Sequence, residues 1–150
     1  MSEPASLPRD PSTLYTYMVQ DHDSLRELCM RLLEAMNANA TADTRVLWSE
    51  FDHALRGHMD AEERFVLPQF AHAHHAEALS LLREHGELRE LLFELGVAVD
   101  LHMLRYDRSH DLLSLLVIHA TREEKLLYQW IDENLANDAV EAVKRPAAVG

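Results

Sequence analysis

Between Pro11 and Pro146 the chain carries one proline, Pro68, and three glycines, Gly57, Gly86 and Gly96. These two residue types disfavour a helix interior most, by roughly 3 and 1 kcal/mol against alanine. A stretch so poor in them is free to form long helices. The apolar residues recur at helical steps. In "LYTYMVQDHDSLRELCMRLLEAM", from Leu14, they stand at Met18, Leu25, Cys29, Leu32 and Met36. "NANATADT" breaks the pattern, with Thr41 or Asp43 as the next cap, and a second helix is expected from about Thr44 through Phe65. Pro68 lacks a backbone donor, so that helix kinks or ends near "LPQFAHAHH". A third helix reads over "AEALSLLREHGELRELLFELGVAV", then "RYDRSHD" as a connector, then a fourth over "LLSLLVIHATREEKLLYQWIDENL". No stretch alternates with period two, so no strand is expected. Four long helices with short connectors imply an all-α fold, an antiparallel up-down-up-down four-helix bundle.

Composition narrows the function classes. The chain has 150 residues, enough for one domain with a real core. Its formal net charge of -12 leaves no basic stripe to neutralise phosphates, which excludes a nucleic-acid partner, and it disfavours docking on anionic lipid. The single cysteine, Cys29, excludes an internal disulfide and a thiolate zinc cage. "MSEPASLPRDPST" lacks the apolar run of a signal peptide, and no stretch is long enough to span a bilayer. The expected location is cytoplasmic.

The stretch "RGHMDAEERFVLP" is the first that points to chemistry. Phe51, Leu55 and Phe65 mark an apolar helix face, and His58 and Glu62 fall on it, one turn apart. A buried carboxylate left unpaired costs several kcal/mol, so it is paired, neutralised or bound to a metal. A second such pair, His119 and Glu123, lies in the last helix. Two pairs among ten histidines decide little by number. Phase decides more: His22 lies between Met18 and Leu25, His85 between Leu81 or Leu82 and Leu88, and His119 between Leu115 or Leu116 and Leu126. Height decides most. In antiparallel helices, residues at one level are equally far from the connecting turn. The midpoint of His22 and His58 is position 40, in "NANATADT". The midpoint of His58 and His85 falls between 71 and 72, and that of His85 and His119 at 102, a few residues before "RYDRSHD". Three separate connectors therefore place four histidines in one layer.

The motifs "QDHDSL", "HMDAEE", "REHGELREL" and "HATREE" together resemble the hemerythrin-like, or HHE cation-binding, domain family. The pattern is a lone His, His-x-x-x-Glu, a lone His, and His-x-x-x-Glu. The resemblance covers about residues 13–136; residues 1–12 read as a flexible lead up to a helix start with Ser12 and Thr13 as candidate caps, and 137–150 as a tail. It implies a four-helix bundle holding two iron ions with a bridging oxide or hydroxide. The implied ligands are His22, His58, Glu62, His85, His119 and Glu123. One departure stands out. Oxygen-carrying hemerythrins have another histidine one turn after the third-helix ligand and end on an aspartate one residue further along. Here those positions hold Arg89 and Glu123. Around two six-coordinate irons, roughly two of about twelve positions then stay open, one more than with five histidines. For Arg89, a candidate to support the ligands, three placements are open: pairing with Glu62 or Glu123, orienting a bound anion, or leaning out of the bundle.

Other readings compete. The six residues without metal would have to pair with one another, and a single zinc or manganese ion would also suit these donors. His72, His74 and His75 sit beside a turn, and His53, His102 and His110 lie off the ligand phase or at helix ends; all read as exposed or structural. Cys29 and the aromatics Tyr15, Trp48, Phe51, Phe65 and Trp130 read as packing. The leading functional expectation is a protein that binds iron and a small ligand such as oxygen, nitric oxide or peroxide. The alternative is a di-iron oxidoreductase decomposing peroxide or acting on nitric oxide, and a weaker one is an iron storage or delivery module.

Overall fold

The computed structural model describes residues 14–103 and 106–134. The expected lead and its caps, and the expected tail, lie outside the described residues. Among the described residues every regular element is helical: α1 (Leu14–Asn37), α2 (Thr41–Phe65), α3 (Leu67–Ala73), α4 (His75–Asp100), α5 (Tyr106–Glu123), a π-helical segment (Glu124–Tyr128) and α6 (Gln129–Asn134). None of these helices is long and apolar enough to cross a membrane.

The breaks follow local chemistry. Asn39 closes α1 with φ 56°, the left-handed conformation that asparagine tolerates better than most residues. The amide of Ala40 then donates to Ala35 at 2.9 Å, a wide turn that caps the helix end. Ala40, not Thr41 or Asp43, is the N-cap of α2; it makes no side-chain cap, and α2 starts three residues before the expected Thr44. Pro68 acts as expected, because α2 stops at Phe65 and the proline sits at the start of the short α3, where its missing N–H costs nothing. The expected connector "RYDRSHD" is a correction. From Tyr106 onward it is already helical, with Asp107 in the first turn and Ser109 and Leu112 carrying the inward stripe back from Leu116.

Helix α1 packs against α2 and α5, α4 packs against α2, α3 and α5, and α6 and the π segment fold back on α1. Two apolar clusters fill the interior. One holds Leu25, Cys29, Leu32, Phe51, Leu55, Leu88, Leu92 and Leu116. The other holds Met18, Val66, Phe70, Leu81, Leu127, Tyr128 and Ile131. Burying each such side chain stabilises the fold by about 1.5–3 kcal/mol. Between the clusters, in chain order, α1 carries His22, α2 carries His58 and Glu62, α4 carries His85, and α5 carries His119 and Glu123. The order in which a long helix meets the two clusters reverses from each helix to the next.

The π segment corrects the expected phase of the last helix. A π turn holds one residue more than an α turn, so every later residue is rotated by about 100° relative to an unbroken helix. Leu126, expected inside, is exposed, while Leu127, Tyr128 and Ile131 are buried. Two deletions test this. Removing exposed Ser114 from mid-α5 would swing His119 and Glu123 off the inner face and cost at least about 3 kcal/mol. Removing exposed Lys125 would restore a regular helix and leave the later residues in place. Urea denaturation is expected to show the Lys125 deletion markedly more stable than the Ser114 deletion; equal losses contradict the phase shift.

Candidate metal centre

The structure brings together all six residues expected to bind metal. Each has an apolar neighbour one turn away on its own helix, so helix geometry turns it inward. Glu62, Glu123 and His85 have no exposed surface, and none of the six exceeds 6% exposure. Two groups of four form. One is His22, His58, Glu62 and Glu123, the other Glu62, His85, His119 and Glu123, with donor atoms in each lying within 4.8 Å of one another.

Both carboxylates belong to both groups and divide their oxygens between them. In the first group Glu62 Oε2 is 3.1 Å from His58 Nε2, and Glu123 Oε1 is 3.0 Å from His22 Nε2. In the second, Glu62 Oε1 is 3.1 Å from His85 Nε2, while Glu123 Oε2 is 3.0 Å from His85 Nε2 and 2.9 Å from His119 Nε2. Every imidazole thus presents Nε2 to the middle. Two of these buried atoms, Glu62 Oε1 and His119 Nε2, make no aligned hydrogen bond among the described residues despite that proximity. Proximity without alignment is what donors aimed at a common point between them produce, and imidazole with carboxylate is a donor set for iron, zinc or manganese.

Behind each imidazole stands another carboxylate. Nδ1 of His58 donates to Asp21 at 2.5 Å, that of His85 to Glu63 at 2.7 Å, that of His119 to Glu84 at 2.7 Å, and that of His22 to Glu124 at 3.1 Å. Such a bond fixes the tautomer with a lone pair on Nε2 and makes the ring a stronger donor. The four bonds form a closed ring around the interior: an acid on α1 holds the histidine of α2, one on α2 that of α4, one on α4 that of α5, and one just past α5 that of α1. Arginines back two of the acids. Arg89 donates to Glu63 at 2.6 Å and to exposed Asp60 at 2.9 Å, and Arg122 pairs with Glu84. Arg89 reaches His85 through Glu63.

Charge suits the layer to cations. Setting aside exposed Asp60, six carboxylates, Glu62 and Glu123 fully buried and the outer four partly exposed, face two guanidiniums and leave four negative charges. Protons compensate when no metal does. Burial alone would depress His85, but bonds and charge from Glu123 and Glu62 outweigh it and raise the imidazole from 6.5 to about 10. His58, against burial, is raised by Glu62 and Asp21, and His22, against burial, by Glu123 and Glu124. Burial pushes Glu123 up, yet the four imidazoles around it hold it well below the usual carboxylate range.

Five residues of the site were not expected. Asp21, Glu63, Glu84 and Glu124 each adjoin an inward residue in the chain, in "DH", "EE", "EH" and "EE". That adjacency was the available signal. Tyr128 was hidden by the π segment. Its hydroxyl lies 2.7 Å from His22 Nε2 and 3.2 Å from His58 Nε2, and it donates to Glu62. The remaining histidines, His53, His72, His74, His75, His102 and His110, are exposed and outside the layer. Cys29 is buried in the first apolar cluster, where burial pushes its thiol up to about 12.

A family model described as hemerythrin HHE cation binding domain matches residues 13–131. No curated protein and no solved structure matches the chain.

The protons of the layer give a signed pH dependence. His85 is raised on folding, so its contribution to the stability of the metal-free protein is complete below about 6.5 and is lost as pH rises towards about 10. Glu123 is depressed on folding, so its contribution is present above about 4.5 and disappears as pH falls through its lowered value. Urea denaturation of chelator-treated protein is expected to show a steady fall in stability from near-neutral to alkaline pH, which metal loading removes. Metal-free stability that stays flat over that range contradicts the description.

Proposed function

Because the chain belongs to the hemerythrin HHE cation-binding domain family, we propose that it is a non-haem di-iron protein that binds oxygen, nitric oxide or peroxide. One observation carries this reading: two groups of four donors share both of their carboxylates, each of which presents one oxygen to either side. Two histidines and two carboxylate oxygens would hold each ion, and Glu62 and Glu123 would bridge them. The reading extends over about residues 13–136. It includes an antiparallel up-down-up-down bundle of α1, α2, α4 and α5 with its continuation, which the reversing order of the apolar clusters supports.

When bound, a pair of irons supplies one-electron redox steps and free coordination positions for a small molecule. The chain supplies the rest. His22, His58, His85 and His119 are oriented through Nδ1 by Glu124, Asp21, Glu63 and Glu84, so their rings need no reorganisation to bind. The two apolar clusters lie on either side of the layer and limit water there. Four uncompensated negative charges match two divalent cations before any small ligand enters.

Metal content tests the site. Protein loaded with ferrous iron and desalted is expected to retain two irons per chain. Glu123→Ala, which removes a donor from both groups, should drop well below one while circular dichroism stays helical. Unchanged iron in that variant contradicts the site. Stoichiometric adducts with nitric oxide or oxygen support the binding role. Consumption of peroxide or nitric oxide over many turnovers would replace it with an oxidoreductase, and freely exchanging iron without any adduct with a storage or delivery module.

A further inference from the structure

We propose that Tyr128 is a fifth protein donor to the ion held by His22, His58, Glu62 and Glu123, so that the two ions of the pair are unequal. The inference rests on the two-metal reading above and adds a ligand that the six-residue pattern does not contain.

The case is geometric. The Tyr128 hydroxyl oxygen contacts one donor atom from each of the four members of the first group. It lies 2.7 Å from His22 Nε2, 3.2 Å from His58 Nε2 and 3.2 Å from Glu123 Oε1, and it bonds Glu62 Oε2. Metal–ligand bonds of about 2.0–2.2 Å at right angles put neighbouring donors about 2.8–3.1 Å apart. The phenol oxygen therefore stands where another corner of the same coordination shell would be. A residue that merely steadies a ligand sits elsewhere. Asp21, Glu63, Glu84 and Glu124 each touch an Nδ1, on the outer side of a ring, whereas Tyr128 touches Nε2 atoms, on the inner side. Tyr128 has no exposed surface. Among the described residues it makes no bond to His85 or His119, and no tyrosine occupies the equivalent place in the second group.

Binding balances simply. The phenol would lose its proton to solvent, and the phenolate oxygen would take a position on the ion in its place. One ion then has two imidazoles, two carboxylate oxygens and a phenolate, while the other has only the first four. The outer ring is skewed in the same sense. The acids behind His85 and His119 are paired to Arg89 and Arg122, which draw charge away from them, whereas among the described residues no guanidinium or ammonium pairs with Asp21 or Glu124. The Tyr128 side is thus the more electron-rich, and the ion between His85 and His119 keeps more positions for a small ligand.

A ferric ion bound by phenolate absorbs visible light by charge transfer, and Raman scattering excited in that band shows tyrosine ring modes. The full chain, loaded with ferrous iron and oxidised in air, is expected to show the band, with ring modes that shift when the protein is made with ring-deuterated tyrosine. Tyr128→Phe should keep two irons and lose the band. The triple variant Tyr15→Phe, Tyr17→Phe and Tyr106→Phe leaves Tyr128 as the last of four tyrosines and should keep it, which decides the matter even if Tyr128→Phe fails to fold. Two irons without a tyrosine-derived band, or a band that survives Tyr128→Phe, overturns this inference and leaves the two-iron reading standing. A wild-type chain that takes up no iron overturns both.

Discussion

Glu62 and Glu123 lie in the middle of the packed helices with no exposed surface. A carboxylate so placed costs several kcal/mol unless positive charge or hydrogen bonds compensate it, and everything nearby is arranged to do so. Four imidazoles surround the pair, and two apolar clusters keep water from doing the same work. Replacing the layer with hydrocarbon of equal volume would make a simpler and no less stable core. In the proposed function that negative charge is used, by two cations sharing the two carboxylates.

The ring of outer acids extends the logic from charge to orientation. Each of the four helical segments presents an acid that holds the next segment's histidine, and the last closes on the first. Displacing one helix therefore disturbs two histidines, its own and the one it supports. This couples the geometry of the centre to the packing of the whole protein. The ring is not uniform, however. Arg89 and Arg122 brace the acids on one side, and Tyr128 enters the centre from the other. The helical layout is nearly symmetrical, but its chemistry is polarised.

Much of this was legible in the sequence. The inward phase of His22, His58, His85 and His119 follows from spacing alone, because helix periodicity leaves little freedom. Pro68 ended α2 as its missing donor requires. Two misreadings have separate causes. "RYDRSHD" reads as a connector by its charges, yet Ser109 and Leu112 keep the inward period. Beyond Glu123 a strict 3.6-residue count puts Leu126 inside, and one extra residue in the π segment hands that place to Leu127 and Tyr128. Local backbone irregularities of this kind leave little mark on composition. The outer acids escaped for another reason: a carboxylate beside an inward residue looks like ordinary surface charge until the neighbouring helix is in place.

The central claim is that one pair of carboxylates joins two cations between two pairs of histidines. Anomalous X-ray scattering at the iron absorption edge, from crystals of the iron-loaded chain, measures this most directly. Two peaks are expected in the polar layer, one flanked by His22 and His58 and the other by His85 and His119, with Glu62 and Glu123 touching both. A single peak, or iron held only by exposed side chains such as His72, His74 and His75, would contradict it.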